Sequence, residues 1–219
     1  MIGLALLASL GGAGWWLWTP DADRASLEAR YAAPPSSFVT LEGVRLHVRD
    51  TGPRDGPTVL LLHGFGSSLH TWDAWAALLE ADRRVIRLDL PGFGLTGADP
   101  TGDYSDLRAV ALLDGLLDRL GVAQADVVGS SMGGRIAWRF AAERPARVRK
   151  LVLMAPDGFA SAGFTYDRPA GVPLLMRALP YTLPMPLLRG GIAPAYADAA
   201  SLTESALERY RDMMIAPGV

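Results

Sequence analysis

The 219-residue chain has no cysteine and only three histidines. Without thiols there is neither a disulfide framework nor thiolate chemistry, and cysteine usage says nothing of the redox compartment. No H-E-x-x-H or comparable histidine spacing occurs, so no zinc site is expected. The net charge is −2 and the longest basic run is Arg147-Val148-Arg149-Lys150. That leaves no positive field to attract nucleic acid, and no nucleic-acid partner is expected. A composition that is 50% hydrophobic and 20% charged excludes disorder and provides for one globular domain with appendages. Arginine supplies nearly all the positive charge and alanine abounds, as in GC-rich bacteria.

What is present is organised around one turn, Gly129-Ser130-Ser131-Met132-Gly133, between the apolar run Asp126-Val127-Val128 and an amphipathic stretch. This is G-x-S-x-G in a strand-to-helix setting, the pattern of a nucleophile elbow. So tight a turn tolerates almost no side chain at Gly129 and Gly133, and it leaves the Ser131 hydroxyl exposed on a strained backbone. Ser131 is therefore the candidate nucleophile. The Met132 N–H, at the positive end of the following helix, is placed to meet an oxyanion. A lone G-x-S-x-G also occurs in ordinary turns, so its neighbours matter. Thr58-Val59-Leu60-Leu61-Leu62 reads as a buried strand running into His63-Gly64-Phe65-Gly66, and Arg84 to Leu90 runs into Pro91-Gly92-Phe93-Gly94.

Three strand-then-glycine-loop segments in this order, each followed by a helical pattern, closely resemble the α/β-hydrolase superfamily over residues 38 to 160. HGFG, DLPGFG and GSSMGG, with the apolar N-terminus, look most like monoacylglycerol-lipase-type serine hydrolases. They are also similar to C–C bond hydrolases with a comparable S-M-G-G elbow. The resemblance implies an α/β-hydrolase fold, a mostly parallel doubly wound sheet with a helical cap. It implies that Phe65 and Met132 supply the oxyanion N–H groups and that His63, with Gly64, shapes the oxyanion loop instead of acting as base. No cofactor is expected.

Residues 2–18 carry no charge and end in Trp15-Trp16-Leu17-Trp18. At the lower length limit for a span, and with tryptophans gathered at one end, residues 1–20 read as a membrane anchor. A bacterial inner-membrane location follows, with the membrane side open. A cleaved signal peptide fits less well, since a basic n-region and a clean A-x-A site are missing. Residues 21–37 read as a linker. Residues 38–158 read as the hydrolase core, opening with a hairpin around Glu42-Gly43 in which His47 points to the more exposed face. Thr71 or Ser68 is expected to cap a helix whose apolar face is Trp72, Trp75, Leu78 and Leu79. A second helix spans Tyr104 to Leu120, with Leu107, Val110, Leu113, Leu117 and Leu120 on one side. His70 reads as a polar residue at a helix start. Residues 159–219 read as an incomplete cap, with a capping box Ser201-x-x-Glu204 opening a helix to about Met214.

A serine hydroxyl needs a histidine to take its proton and an acid to fix that histidine's tautomer. The chain order in this family is serine, acid, histidine, yet no histidine follows Ser131. Asp157 is the one acid near the family's less common acid position, although Pro156-Asp157-Gly158 is also a turn signal. The chain is thus expected to lack the last strands, the acid and the histidine of a serine hydrolase, and to turn over negligibly by itself. The expected reaction of the complete protein is hydrolysis of a carboxylic ester or related acyl bond, with lipid-like esters favoured by the anchor and apolar cap. The alternatives are C–C bond hydrolysis, perhydrolysis or acyl transfer on the same elbow, and a non-catalytic binding protein. An aspartate-nucleophile dehalogenase or epoxide hydrolase is disfavoured because the elbow carries Ser131. The oligomeric state is left open.

Overall fold

The computed structural model describes residues 17–158 and 181–219. A six-stranded sheet has the order β1 (Ser36–Leu41), β2 (Val44–Thr51), β4 (Arg84–Leu88), β3 (Thr58–Leu62), β5 (Ala125–Ser130), β6 (Val148–Met154). The β1–β2 and β2–β4 pairs are antiparallel, and β4–β3, β3–β5 and β5–β6 are parallel. The hairpin closes through Glu42 (φ 47°) and Gly43 (φ 84°), two adjacent positive-φ residues whose twist suits a two-residue β-turn. Every residue of β3 and β4 is buried, as a sheet covered on both faces requires.

Alternation along these strands divides the core into two layers. Leu60, Leu62, Ile86, Leu88 and Val127 pack with α3 (Asp106–Arg119) and α4 (Met132–Glu143). Val59, Leu61, Val85 and Val128 pack on the opposite face with Trp72 and with Ala76 of α2 (Asp73–Leu79). The helical faces differ in part from the sequence reading. In α2, Ala76 is buried whereas Leu78 is 80% exposed. In α3, Val110, Leu112, Leu113, Leu116 and Leu117 are buried while Leu107 is exposed. No Ser68 or Thr71 side chain caps α2, which follows a 3-10 turn at Leu69–Trp72. Ser105 caps α3 by accepting from the Arg108 N–H.

Residues 21–37, read as a linker, contain helix α1 (Arg24–Tyr31), capped by Asp23. Two further helices, α5 (Met185–Ile192) and α6 (Glu204–Met214), share a small core of Leu188, Leu202 and Leu207. Polar contacts tie α1 to α6: Arg30 Nη1 and Tyr31 Oη lie 2.8 and 2.7 Å from Asp212 Oδ2.

The membrane anchor and the inner-membrane location require correction. Residues 1–16 lie outside the described residues, and among the described residues no helix is long and apolar enough to cross a membrane. The described end of the tryptophan run packs against another part of the chain. Trp18 stacks on Tyr181, with centroids 5.6 Å apart and planes 6° apart. Thr19 is buried, donates its N–H to Tyr181 O and accepts from the Leu183 N–H.

Candidate active site

The G-x-S-x-G turn joins β5 to α4 and holds Ser131 at φ 52°, ψ −120°. This conformation is sterically disfavoured for a residue with a Cβ, and three backbone hydrogen bonds hold it. The Ser131 N–H donates to Met154 O (3.0 Å), and Ser131 O accepts from Arg135 N–H (3.0 Å) and Asp157 N–H (3.2 Å). The glycines are explained by close backbone approach. A Cβ on Gly129 would lie 2.3 Å from Gly133 O, and one on Gly133 would lie 2.3 Å from Leu62 O. The flanking strand β3 thus passes directly beneath the turn, and Ser131 is left exposed above it. Its hydroxyl makes no hydrogen bond to a protein group among the described residues.

Beside it lies the loop after β3. A Cβ on Gly64 would be 3.2 Å from Ser131 Cβ and 3.9 Å from Ser131 Oγ, so the loop backbone flanks the hydroxyl. Among the described residues, the N–H groups of Phe65 and of Met132, the first residue of α4, donate to no backbone acceptor. The loop is braced by His63, which is fully buried. Its Nδ1 donates to Gly64 O at 2.8 Å, and its Nε2 accepts from the Leu90 N–H at 3.0 Å. Both ring nitrogens are therefore committed and the tautomer is set. Burial lowers the His63 pKa against the opposing pull of Asp89 and the Gly64 carbonyl, which keeps the ring neutral.

The other two histidines are also engaged elsewhere. His47, expected on an exposed face, is fully buried, because β2 is an interior strand of the sheet. Its Nδ1 is 2.8 Å from Asp89 Oδ2 and its Nε2 is 2.9 Å from Ser36 Oγ. This serine–histidine–aspartate row sits on the β1–β2 side of the sheet, and none of its members hydrogen-bonds to Ser131. His70 turns its Nδ1 to Asp73 Oδ2 at 3.3 Å. Asp157 is half exposed, and its Oδ1 accepts from Arg135 Nε at 2.9 Å. Arg135 is further paired with Asp106 at 2.8 Å. The structure therefore brings Ser131, Gly64, Phe65, Met132 and Asp157 together, with no histidine bonded to the serine or to that acid.

A cavity of about 430 Å³ opens beside the elbow, within the range of small-molecule sites, lined by Phe65, Leu90, Phe93, Tyr104, Met132 and Ile136 among others. Its wall is largely apolar. Phe65 is 78% exposed and meets Phe93 edge-on at 5.6 Å.

Asp89 is the residue that sequence reasoning missed. Fully buried, it accepts from the Leu69 N–H (2.7 Å) and the Leu95 N–H (2.8 Å) as well as from His47. Burial by itself would raise its pKa, but the hydrogen bonds from His47 and Leu69 and the nearby His63 outweigh burial and lower it. Gly94, at φ 52°, wraps so closely around it that a Cβ there would lie 2.4 Å from Oδ2. Asp89 thereby fixes both loops that border the cavity. The available signal was an aspartate set between Leu88 and Leu90 at the end of a strand, two residues before Pro91-Gly92, since a buried carboxylate must find donors.

A family model described as alpha/beta hydrolase fold matches residues 57–184. The chain is 37% identical over 196 residues to a 2-hydroxy-6-oxononadienedioate/2-hydroxy-6-oxononatrienedioate hydrolase of Paraburkholderia phymatum, covering 84% of this chain and 66% of that protein. It is 34% identical over 151 residues to a 2-hydroxy-6-oxo-6-phenylhexa-2,4-dienoate hydrolase of Burkholderia cepacia, covering 65% of this chain and 52% of that one. The chain thus spans about half to two thirds of the length of these relatives. Among solved structures, a hydrolase from Pseudomonas aeruginosa superposes with a TM-score of 0.67 at 29% identity, covering 84% of this chain and 68% of that one. Epoxide hydrolase A from Mycobacterium thermoresistibile gives 0.51 at 32% identity, covering 55% and 39%.

Proposed function

The chain belongs to the α/β-hydrolase fold family, and from that membership we propose that it carries the nucleophile of a serine hydrolase acting on a small carbonyl compound. The supporting observation is Ser131 itself, an exposed serine at positive φ between a strand end and a helix start. In this reading Ser131 Oγ attacks the substrate carbonyl carbon. The Phe65 and Met132 N–H groups hold the oxyanion, and water then releases the acyl group from the serine. His63 and Gly64 keep the oxyanion loop in shape, and Gly129 and Gly133 keep the elbow tight. Asp157 stands as a secondary candidate acid, and residues 159–219 as a cap over a core of 38–158.

Two chemistries share this elbow. The relatives are named as hydrolases of 2-hydroxy-6-oxo-dienoates, which favours cleavage of a C–C bond next to a ketone. There the departing bond's electron pair stays with the dienol fragment, which takes up a proton. Ester hydrolysis is the second reading, favoured by the largely apolar wall of the cavity. A serine acyl-enzyme is common to both. The epoxide hydrolases share the fold, and the serine at the elbow argues against their reaction class here.

Since each histidine is engaged away from Ser131, the 219-residue chain should show negligible steady turnover on either an ester or a 2-hydroxy-6-oxo-dienoate panel. Fluorophosphonate labelling should be slow and should accelerate with added imidazole, which supplies the base. Ser131→Ala should abolish both the basal and the imidazole-stimulated labelling. Labelling indifferent to Ser131→Ala would remove the serine from the mechanism.

A further inference from the structure

On the α2 side of the sheet, three guanidinium groups converge on one carboxylate. Asp73 Oδ1 lies 2.6 Å from Arg87 Nη1 and 3.6 Å from Arg49 Nη1, and its Oδ2 lies 3.8 Å from Arg209 Nη1 of α6. His70, held neutral by burial, adds no charge. Three positive charges against one negative leave a formal excess of two. Asp89, which also acts on Arg49, is already taken up by His47 and two backbone N–H groups. The donors around Asp73 are incompletely used. Arg87 is buried with no partner for its Nε among the described residues, and the Arg209 separation is too long for a hydrogen bond.

A second cavity, of about 220 Å³, lies at this cluster between residues 68–74 and α6. Its lining includes Ser68, Thr71, Asp73, Arg209 and the hydrogen-bonded tyrosines Tyr196 and Tyr210. Ser68 is 5% exposed, yet its hydroxyl has no protein partner among the described residues. At about 30 Å³ for each water, the space holds a small hydrated ion. Excess positive charge withdrawn from water is costly unless a counter-charge accompanies it.

We propose that this cavity is a binding site for a small oxyanion of phosphate type, held by the Arg209 guanidinium and oriented by the hydroxyls of Ser68 and Tyr210. A guanidinium fork matches such oxygens in pairs, and Arg209 is the cluster member that lines the cavity without a hydrogen-bonded protein acceptor among the described residues. The site is built from residues 68–74 of the core on one side and from α6 and Tyr196 on the other, so a bound anion joins the two. It also bears on the oxyanion loop, because α6 ends in Met214, whose Cε would lie 2.6 Å from a Cβ on Gly66. Free phosphate and a phosphomonoester share the chemistry that the site recognises.

Calorimetric titration of the 219-residue protein with inorganic phosphate, phenyl phosphate and acetate, at constant ionic strength set with chloride, tests this. Saturable binding of phosphate is expected, with affinity at least tenfold weaker in Arg209→Gln and several-fold weaker in Ser68→Ala. Stronger binding of phenyl phosphate than of phosphate would identify the natural ligand class as phosphomonoesters, and the reverse would point to the free ion. Absence of saturable phosphate binding, acetate binding as tightly as phosphate, or equal affinity in wild type and both variants would overturn the proposal. Should Arg209→Gln fail to fold, Ser68→Ala decides by itself. Arg139→Gln, on the outer face of α4, is the control and should leave binding unchanged.

Discussion

Ser131 is held at positive φ by its neighbours, not by its own preference. A backbone conformation of this kind costs on the order of 1–3 kcal/mol, and it persists here because hydrogen bonds to Met154, Arg135 and Asp157 fix it from three directions. Gly133 is the most sensitive support, since any side chain there meets the carbonyls of Leu62 and His63 at 2.3 and 2.4 Å. Gly133→Ala should therefore cost about 3 kcal/mol or more, at the upper end for overpacking, read as a lowered urea midpoint with unchanged slope. These glycines were legible in the sequence because G-x-S-x-G encodes a local backbone requirement. Asp89 and His47 were not, because their bond joins residues 42 positions apart and only the pairing of β2 with β4 brings them together.

Elements were legible where their period was clear and short of detail where tertiary contacts choose the face. The strands at Thr58–Leu62 and Val148–Met154 are marked by the apolar runs Val59–Leu62 and Leu151–Met154. The opening of α6 differs from the sequence reading: Thr203, not Ser201, is the N-cap, and its hydroxyl accepts from the Ala206 N–H. Thr203→Ala should cost about 1 kcal/mol, whereas Ser201→Ala, which loses only an exposed bond to Asp198 O, should stay within about 0.5 kcal/mol. Thermal melts of the two variants side by side distinguish the caps. Helix α1 escaped notice because it is short and polar and buries only Leu27. Its position depends on the pairing of Arg30 and Tyr31 with Asp212, a partner near the other end of the chain.

At the scale of the molecule, the buried ionisable groups set how stability varies with pH. His63 and His70 both have pKa values below the ordinary 6.5, chiefly through burial. Below pH 6.5 the unfolded chain binds protons at these positions that the folded chain does not, so stability rises with pH across that range. The melting temperature should therefore fall as the pH drops from 7.5 towards 5.5, and His70→Gln should flatten that slope. Asp73 is held down to about 2: burial opposes its ionisation, but the bond to His70 and the guanidinium groups of Arg87 and Arg209 outweigh burial. Asp89 is lowered as well. The Asp73 contribution is present above about pH 4 and is lost as the pH falls towards about 2, and that of Asp89 is lost in the same direction, which predicts a second decline separate from the first. A melting temperature flat between pH 7.5 and 5.5 would contradict the assignment of the histidines.

The sequence by itself determined the α/β architecture, the elbow and its serine, and the absence of any histidine after Ser131, because each is written in local pattern or in chain order. Tertiary structure alone decided the rest. It assigned all three histidines to bonds away from the serine, turned the end of the tryptophan run onto Tyr181, and made residues 24–31 a helix docked on α6. The physical reason is common to these outcomes. A polar or aromatic side chain takes the partner that folding brings within reach, and for His47, Trp18 and Arg30 that partner lies 42, 163 and 182 positions away.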